Sequence, residues 1–475
     1  MVLDDFLRYA RRRDSTVPGR SPSEEALSDS SRIITSSLFR RLQTKAQVFS
    51  LEQNAAVRSR LTHSLEVACY GRWIAHDIYH KLNSGKHLSN PDLYLPFVLT
   101  VENSCLLHDI GNPPFGHLGE YAIQSWIKNN YSTLENEIKK FCGTKGVGYL
   151  DSLCQYDGNP QGFRFVTKLQ WLNDENGLNL SYPLLASMLK YLKSSPSKQS
   201  SAFTSKIGFF SSEKDIVEDV WRFFEMHIDN NGEPNMRYPL TFIMEAADDI
   251  SYCVSDIEDA LEKGVLTENH IFSNCDSMPS IAVEAFSKCN DLNESSAARH
   301  SKYIVFKTRI ARVLAERASE VFAENVDSIC SGQFRQSLLD YHSDTKEVVE
   351  YLKDITRKHV FTSREAIHIE LSGFHMIHEI MDEMLSLWRL GKEDFCKIMP
   401  DCDGTPARNE LQKERRLATL LPRRHCLAYR HFVSEEPDME QYWRLALLID
   451  YISGMTDSHA YKVYRMLKGT NVGLV

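Results

Sequence analysis

Long stretches of helical hydrophobic periodicity constrain the fold of this chain more than any other feature. Apolar residues recur at the spacing of an amphipathic helix in five segments: Leu61–Leu82, Phe97–His108, Leu240–Leu261, Arg364–Leu390 and Gln441–Leu467. Alternation typical of half-buried strands is scarce, and Tyr303–Phe306 and Phe209–Phe210 are only weak strand candidates. The pattern therefore predicts an all-α fold.

The length allows two or three domains or one large one. The chain has 475 residues, of which 42% are hydrophobic and 25% charged, which excludes a disordered, collagen-like or disulfide-rich miniprotein. No stretch is long enough to separate domains, so we expect one large globular unit with a polar N-terminal segment at the surface over residues 1–30, a core over 31–270 and a helical C-terminal region over 271–475. The Ser-rich stretch 193–206 and the Asn-, Gly- and Pro-containing stretch 229–237 are predicted surface loops.

Charge and cysteine usage bear on the compartment and on partners. No apolar run approaches the ~20 residues that span a bilayer, and residues 1–20 do not resemble a secretory signal. The 11 cysteines have no CxxC spacing, which is typical of reduced packing thiols. A formal net charge of −9 requires no polyanionic partner. We therefore expect a cytoplasmic protein with no membrane partner.

Four residues have the chemistry of metal ligands: His63, His108, Asp109 and Asp248. Each is flanked by apolar residues, so we expect each side chain to point into a packed interior, where an unpartnered imidazole or carboxylate is costly. A divalent cation satisfies two imidazoles and two carboxylates together, and mixed nitrogen and oxygen ligands suit Mn, Fe, Co, Ni or Zn. The alternative is a set of hydrogen-bonded core side chains without a metal.

A second histidine follows the His108–Asp109 pair on a Gly- and Pro-rich loop. His117 ends this loop, and Glu120 lies three residues later on the same helical face. A carboxylate bonded to an imidazole orients it and raises its basicity, as a general acid–base requires. The alternative is an ordinary pair on a helix surface.

Five long segments resemble one known family. They are RRLQTKAQVF (Arg40–Phe49), NAAVRSRLTHSLE (Asn54–Glu66), SCLLHDIGNPPFGHLGE (Ser104–Glu120), MEAADDISYCVS (Met244–Ser255) and DYISGMTD (Asp450–Asp457). With these segments, in this order, the chain resembles the bacterial deoxyguanosine triphosphate triphosphohydrolases, which are HD-domain metallophosphohydrolases. The resemblance extends from about residue 30 to the C-terminus.

The resemblance implies a fold, a reaction and a metal. It implies the HD-domain helical fold with additional helices, and cleavage of dGTP between the 5′ oxygen and the α-phosphorus into deoxyguanosine and triphosphate. The metal ligands would be His63, His108, Asp109 and Asp248, with Mn or Mg favoured and Co, Ni, Fe or Zn as alternatives. His117, tuned by Glu120, would move a proton from the attacking water or to the leaving oxygen. The sequence does not decide between these two directions of proton transfer.

The resemblance also implies contacts to each part of the nucleotide. The deoxyribose would be contacted by Gln47, Tyr252 and Asp256, and the triphosphate by Asn159, Lys190, Tyr191 and Lys206. Guanine would be contacted by Phe361 and Glu370. The site of a neighbouring subunit would be reached by Arg416, with Arg408 as a second such arginine. The segment around Asn159 departs from the family, which more often has His, Glu and Ala where Gln155, Asp157 and Pro160 stand.

Two alternatives to a strict dGTPase remain open, together with the oligomeric state. One is a broader dNTP triphosphohydrolase activated by a second nucleotide. The other is an HD protein that binds single-stranded DNA through a basic stretch, formed by Arg408, Lys413, Arg415, Arg416, Arg423, Arg424 and Arg430. A degenerate, non-catalytic HD protein is disfavoured because every expected ligand is present. The resemblance implies a homo-oligomer, preferably a hexamer, with a dimer as the alternative.

Overall fold

The computed structural model describes the chain except for residues 53, 84–86, 173, 196–202, 229–232, 273–277, 291–301, 401–410 and 471–475. Its described residues form helices and connecting loops, with isolated β-bridges but no β-strand among them. The prediction of an all-α fold is therefore confirmed.

The α-helices, numbered in chain order, are α1 Pro22–Thr35, α2 Ser37–Arg41, α3 Arg60–Leu82, α4 Tyr94–Leu107, α5 Gly116–Asn129, α6 Tyr131–Leu153, α7 Gly158–Arg164, α8 Tyr182–Met188, α9 Lys214–Phe223, α10 Pro239–Glu262, α11 Glu268–Phe272, α12 Ser280–Asn290, α13 Lys302–Glu324, α14 Val326–Cys330, α15 Ser343–Ile355, α16 Arg364–Trp388, α17 Lys392–Ile398, α18 Gln412–Ala418, α19 Arg423–Glu435, α20 Glu440–Ser453 and α21 Asp457–Leu467. Short 3₁₀ helices lie at Leu3–Leu7, Leu42–Thr44, Pro91–Leu93, Ser211–Glu213 and Pro437–Met439, and π-helical turns lie at Phe165–Leu169 and Thr356–Val360.

Three mutually packed helices, α3, α4 and α10, form the centre of the fold. A capping box starts α3, because the Ser59 hydroxyl accepts from the Thr62 N–H while the Thr62 hydroxyl accepts from the Ser59 N–H. Pro239 occupies the first position of α10, where its missing N–H costs nothing. The predicted helices Leu61–Leu82, Phe97–His108 and Leu240–Leu261 are confirmed within a few residues at each end.

Gly71 lets these three helices approach one another closely. A Cβ at this position would lie 2.5 Å from Cys105 Sγ, 3.2 Å from Val101 Cγ1 and 3.7 Å from Ala247 Cβ. The absence of a side chain on α3 therefore brings α4 and α10 together just where their candidate ligands lie.

The C-terminal helices depart from the sequence prediction in one respect. The predicted helix Arg364–Leu390 is confirmed as α16, but Gln441–Leu467 is two helices, α20 and α21. The break occurs because α20 ends at Gly454 and the Thr456 hydroxyl caps α21 by accepting from the His459 N–H. The weak strand candidate Tyr303–Phe306 lies inside α13, and Phe209–Phe210 lies in a buried connection.

The expectation that residues 1–30 lie at the surface is wrong for several of them. Leu3 and Phe6 are fully buried, and the buried guanidinium of Arg11 forms 2.6 Å ion pairs with Glu25 and Asp29. These partners offset the cost of burying the arginine charge. The division of the chain at residues 30 and 270 stays a prediction.

The two predicted surface loops are also partly buried. Among their described residues, Phe203 and Arg237 are buried, and the Arg237 guanidinium lies 3.9 Å from the centre of the Phe203 ring.

Helix α16 packs against α5, α20 and α21. None of the helices in the described part of the chain is long and apolar enough to cross a bilayer.

Candidate active site

A cavity of about 290 Å³ opens beside the N-terminal end of α3, the C-terminal end of α4 and the middle of α10. Nearly all of the side chains proposed from the sequence line this cavity: Gln47, His108, Asp109, His117, Glu120, Asn159, Lys190, Tyr191, Lys206, Asp248, Tyr252, Asp256, Phe361 and Glu370. His63 is buried directly behind it, with its ring centroid 5.4 Å from that of His108. The fold thus brings residues that are more than 300 positions apart into one site.

The candidate ligands converge from the three central helices. His63 Nε2 lies 3.7 Å from Asp248 Oδ1, and His108 Nε2 lies 3.5 Å from both Asp248 Oδ1 and Asp109 Oδ2. His63, His108 and Asp248 each offer a ligand atom within 4.8 Å of the other two. Asp109 adjoins this group through His108.

The unsatisfied atoms of the cluster fit a divalent cation. His108 Nδ1 lies 2.7 Å from the Cys105 carbonyl, so this nitrogen carries the proton and leaves the Nε2 lone pair facing the carboxylates. Within the described residues, His108 Nε2 is buried without a hydrogen-bond partner. A buried imidazole nitrogen beside carboxylates is a ligand that a metal ion would satisfy.

The electrostatics of the cluster favour a positive charge at its centre. Burial alone would lower the pKa of His108, but the carboxylates of Asp109 and Asp248 outweigh it and raise that pKa to about 9. Burial would raise the pKa of Asp248, yet His108, His63 and Lys190 hold it well below the usual range. Either a bound proton or a metal cation would supply this positive charge.

Two residues that the sequence analysis missed hold Asp109 in place. The buried Arg60 donates from Nη1 to Asp109 Oδ2, and Asn112 Nδ2 donates to Asp109 Oδ1 at 2.7 Å. Arg60 lies three residues before His63 on α3, and therefore on the same helical face. This spacing is the sequence feature from which Arg60 could have been identified.

His117 enters the cavity from the first turn of α5. Phe115 and Gly116 precede it with φ of +63° and +58°, so the backbone turns sharply before the helix begins. His117 Nδ1 lies 2.9 Å from Glu120 Oε2, and Glu120 Oε1 accepts from the Gly158 N–H at 2.9 Å. The hydrogen bond with Glu120 raises the pKa of His117, whereas the imidazole itself stays exposed to the cavity.

Three ammonium groups line the cavity wall. Lys190 Nζ lies 3.8 Å from Asp248 Oδ2, Lys206 Nζ lies 2.7 Å from Asp157 Oδ2, and Lys353 Nζ lies 3.2 Å from Asp249 Oδ1. Lys353 and Asp249 were not identified from the sequence, because no local pattern links α15 to α10. The wall has the charge and hydrogen-bonding capacity to bind phosphate groups.

Side-chain oxygens without a hydrogen-bond partner also line the cavity. Gln47 Oε1 and both carboxylate oxygens of Asp256 are buried, and they have no hydrogen-bond partner in the described part of the chain. Burial raises the pKa of Asp256 well above its usual value. Tyr252 lies one turn from both Asp248 and Asp256 on α10. The cavity therefore offers Gln47 and Asp256 as hydrogen-bonding partners for a hydroxyl group, next to an aromatic ring.

The third end of the cavity is formed by the C-terminal half of the chain. Phe361 follows the π-helical turn Thr356–Val360, and Glu370 lies on α16. Burial raises the pKa of Glu370. Arg416 does not line the cavity: it lies on α18, where its Nη1 donates to the Gln412 carbonyl at 3.4 Å. Arg408 lies outside the described residues.

The helical fold with a partly buried cluster of His63, His108, Asp109 and Asp248 defines the class of HD-domain proteins. Residues 60–150 match the family model described as "HD domain". The chain is 35% identical over 483 residues, 93% of each chain, to the "Deoxyguanosinetriphosphate triphosphohydrolase" of Enterobacter sp. (strain 638). The identically named proteins of Yersinia enterocolitica (serotype O:8 / biotype 1B) and Yersinia pestis (strain Pestoides F) are 35% and 34% identical over 485 residues, again 93% of each chain.

Identity at this level over nearly the whole length places the chain within one branch of the HD superfamily. The protein belongs to the deoxyguanosinetriphosphate triphosphohydrolase family.

Proposed function

We propose that this protein hydrolyses dGTP to deoxyguanosine and triphosphate. The observation that carries the proposal is that one cavity brings together the groups that a deoxynucleoside triphosphate needs. The His63–His108–Asp248 cluster and the His117–Glu120 pair adjoin this cavity together with ammonium groups and unpartnered acceptors. The ammonium groups suit a triphosphate, and the cluster suits the α-phosphate.

His63, His108, Asp109 and Asp248 would hold a divalent cation, for which we favour Mn or Mg. When bound, such a cation supplies Lewis-acid chemistry at the α-phosphate. Arg60 and Asn112 fix the orientation of the Asp109 carboxylate for this task.

The proposed reaction forms a bond between a water oxygen and the α-phosphorus and breaks the bond from phosphorus to the 5′ oxygen. His117 either accepts the proton that the water loses or donates a proton to the departing 5′ oxygen. Glu120 holds the imidazole through Nδ1, which leaves Nε2 to face the reacting atoms. A group of this kind contributes about 10²–10⁴-fold to the rate.

The remaining cavity residues divide by the part of the substrate they would bind. We propose that Asn159, Lys190, Tyr191 and Lys206 bind the triphosphate, and we add Lys353 to this set. Gln47 and Asp256 would bind the 3′-hydroxyl, which has one proton to donate and can also accept from a protonated Asp256. Tyr252 would occupy the space that a 2′-hydroxyl needs. Phe361 and Glu370 would recognise guanine by stacking and by accepting from its N1–H and amino group.

We also infer a homo-oligomer, preferably a hexamer, in which Arg416 reaches the site of a neighbouring subunit. Large apolar side chains near the proposed guanine end support this inference, since Tyr121 on α5 and Leu371 on α16 are 57% and 60% exposed. Native mass spectrometry tests it, with a monomer as the contradicting result. A dimer would contradict the hexamer but not the homo-oligomer. The cytoplasmic location stays a prediction.

Metal analysis combined with substrate profiling tests the proposed function. The purified protein is incubated with each dNTP alone and in pairs, with Asp109→Ala as the ligand variant. We expect the protein to hydrolyse dGTP and no other dNTP. In Asp109→Ala we expect bound metal and turnover to be lost together. Hydrolysis of other dNTPs only after dGTP is added would replace the proposal with the nucleotide-activated enzyme.

Single-stranded DNA binding is the other alternative, and a salt-dependent shift of labelled DNA in a dGTP-inactive protein would favour it. Part of the basic stretch is already engaged within the chain: Lys413 Nζ lies 2.7 Å from Glu383, and Arg424 Nη1 lies 3.4 Å from the Ser37 hydroxyl. This favours the enzyme over the DNA-binding protein.

A further inference from the structure

Asp457, the first residue of α21, lies behind two walls of the cavity at once. Its side chain is buried, and each carboxylate oxygen accepts one backbone N–H. Oδ2 accepts from Ala46 at 3.0 Å, and Oδ1 accepts from Phe115 at 3.0 Å. The first donor directly precedes Gln47, and the second lies two residues before His117. One carboxylate therefore joins the backbone of the proposed sugar contact to that of the proposed acid–base residue.

The contact to Phe115 bears on how His117 is aimed. Phe115 has φ of +63°, a left-handed conformation that residues with a side chain rarely adopt. Its ring packs against Gly373, where a Cβ would lie 2.3 Å from Phe115 Cγ. Because α5 starts directly after Phe115, a change in this backbone would re-aim the first turn that carries His117.

Neighbouring contacts make the same connection. The buried Lys45 donates from Nζ to the carbonyls of Asn112 and Ser453, the latter at 3.1 Å. Arg41 Nη1 donates to the Gly454 carbonyl at 3.1 Å. Residues 41–46, 112–115 and 453–457 thus meet in one joint, which we call the Asp457 joint.

We propose that Asp457 is a positioning residue that fixes Gln47 and His117 relative to each other. It does not line the cavity and would touch no substrate atom, so it acts only through these two residues. The kinetic part of the proposal rests on the proposed function, whereas the structural part does not. Asp457 also lies in the first turn of α21, where an acidic residue is favourable, so a purely local role must be separated from this one.

The test variant is Asp457→Asn, which keeps the shape of the side chain but replaces one acceptor oxygen with an amide that cannot accept. The matched control is Asp215→Asn: Asp215 also lies in the first turn of a helix, α9, and its side chain is 69% exposed. Hydrogen–deuterium exchange of peptides containing Ala46 and Phe115 reports the joint without any nucleotide. We expect exchange in one or both peptides to be at least about tenfold faster in Asp457→Asn and unchanged in Asp215→Asn.

Kinetics then separate positioning from a local role. In Asp457→Asn with wild-type metal content, we expect kcat for dGTP to fall by about tenfold or more. Discrimination between dGTP and its 2′,3′-dideoxy analogue should also shrink, because Gln47 is displaced. In a His117→Ala background, Asp457→Asn should lower kcat by a smaller factor than in the wild type, because only its effect through Gln47 remains. Asp457→Glu, which retains both acceptor oxygens, should restore slow exchange and recover part of kcat, and it replaces the Asn variant if that variant does not fold.

Unchanged exchange in both peptides would overturn the proposal, as would an undiminished effect on kcat in the His117→Ala background. A protein that shows the exchange response but never hydrolyses dGTP would refute the proposed function while supporting the joint.

Discussion

Gly111 lies at a close backbone approach beside the candidate site. It belongs to the loop that follows Asp109, and a Cβ there would lie 2.1 Å from both the Gly158 carbonyl oxygen and the Gly162 amide nitrogen of α7. Ordinary contacts of a Cβ begin at 3.4 Å, so Gly111→Ala requires the loop and α7 to separate by more than 1 Å. The obstructing atoms are backbone, so no side chain can turn aside.

Such a separation displaces two sets of site residues relative to each other. The loop carries Asp109 and Asn112, and α7 carries Asn159 and the Gly158 N–H that holds Glu120. Because a misplacement of 1 Å costs about 10²-fold in rate, we expect kcat/KM for dGTP to fall by about 10²-fold or more in Gly111→Ala. The crowding should also lower the free energy of unfolding by about 1–3 kcal/mol.

Two further alanine variants complete a graded series. At Gly162 a Cβ would lie 3.1 Å from Ile110 Cγ2, so Gly162→Ala should have a smaller effect than Gly111→Ala. At the exposed Gly148 on α6 a Cβ meets nothing within 4 Å, so Gly148→Ala should be neutral or stabilising by up to about 1 kcal/mol. Steady-state kinetics and urea unfolding at saturating metal measure both quantities. A Gly111→Ala enzyme within threefold of wild type would refute the reasoning.

Three further predictions concern single side chains. Tyr252→Ala should narrow the preference for dGTP over GTP by about 1–3 kcal/mol, measured as the ratio of kcat/KM values in a folded variant; an unchanged ratio would mean that the sugar is read elsewhere. Glu120→Gln should move the pH limb that belongs to His117 to lower pH, since the Glu120 carboxylate raises the pKa of His117; an unmoved limb would contradict this role. Burial lowers the pKa of Lys45 to about 7, so between about pH 7 and 10 this residue binds more protons in the unfolded chain and adds an increase of stability with pH, of up to about 1.4 kcal/mol per unit. Lys45→Met should therefore make the slope of stability against pH less positive than in the wild type, measured by urea unfolding, and an equal slope would contradict the prediction.

The sequence predicts best where one short segment contains the whole signal. The helix around Leu61–Leu82 has a capped start and sustained periodicity, and it forms as α3. His108 and Asp109 stand out because chemistry-bearing residues at the end of an apolar helix need a partner when buried. The pairing of His117 with Glu120 follows from the spacing of one helical turn.

The sequence predicts poorly where distant packing decides. Lys353 and Asp249 meet across α15 and α10, a contact that no local spacing encodes. Arg11 is expected at the surface from the sequence, but it is buried because Glu25 and Asp29 of α1 form ion pairs with its guanidinium. Likewise, Gln441–Leu467 reads as one helix because apolar residues continue across the α20–α21 boundary, and only the turn at Gly454 and the Thr456 cap separate the two elements.

Product analysis after incubation with dGTP and Mn²⁺ or Mg²⁺ tests the central claim most directly. Ion-exchange chromatography separates the nucleoside, each nucleotide and the inorganic phosphates. Cleavage between the 5′ oxygen and the α-phosphorus predicts deoxyguanosine and intact triphosphate in equal amounts, with neither formed without protein. Release of dGMP with pyrophosphate, release of dGDP with phosphate, or no turnover with either metal would contradict the account.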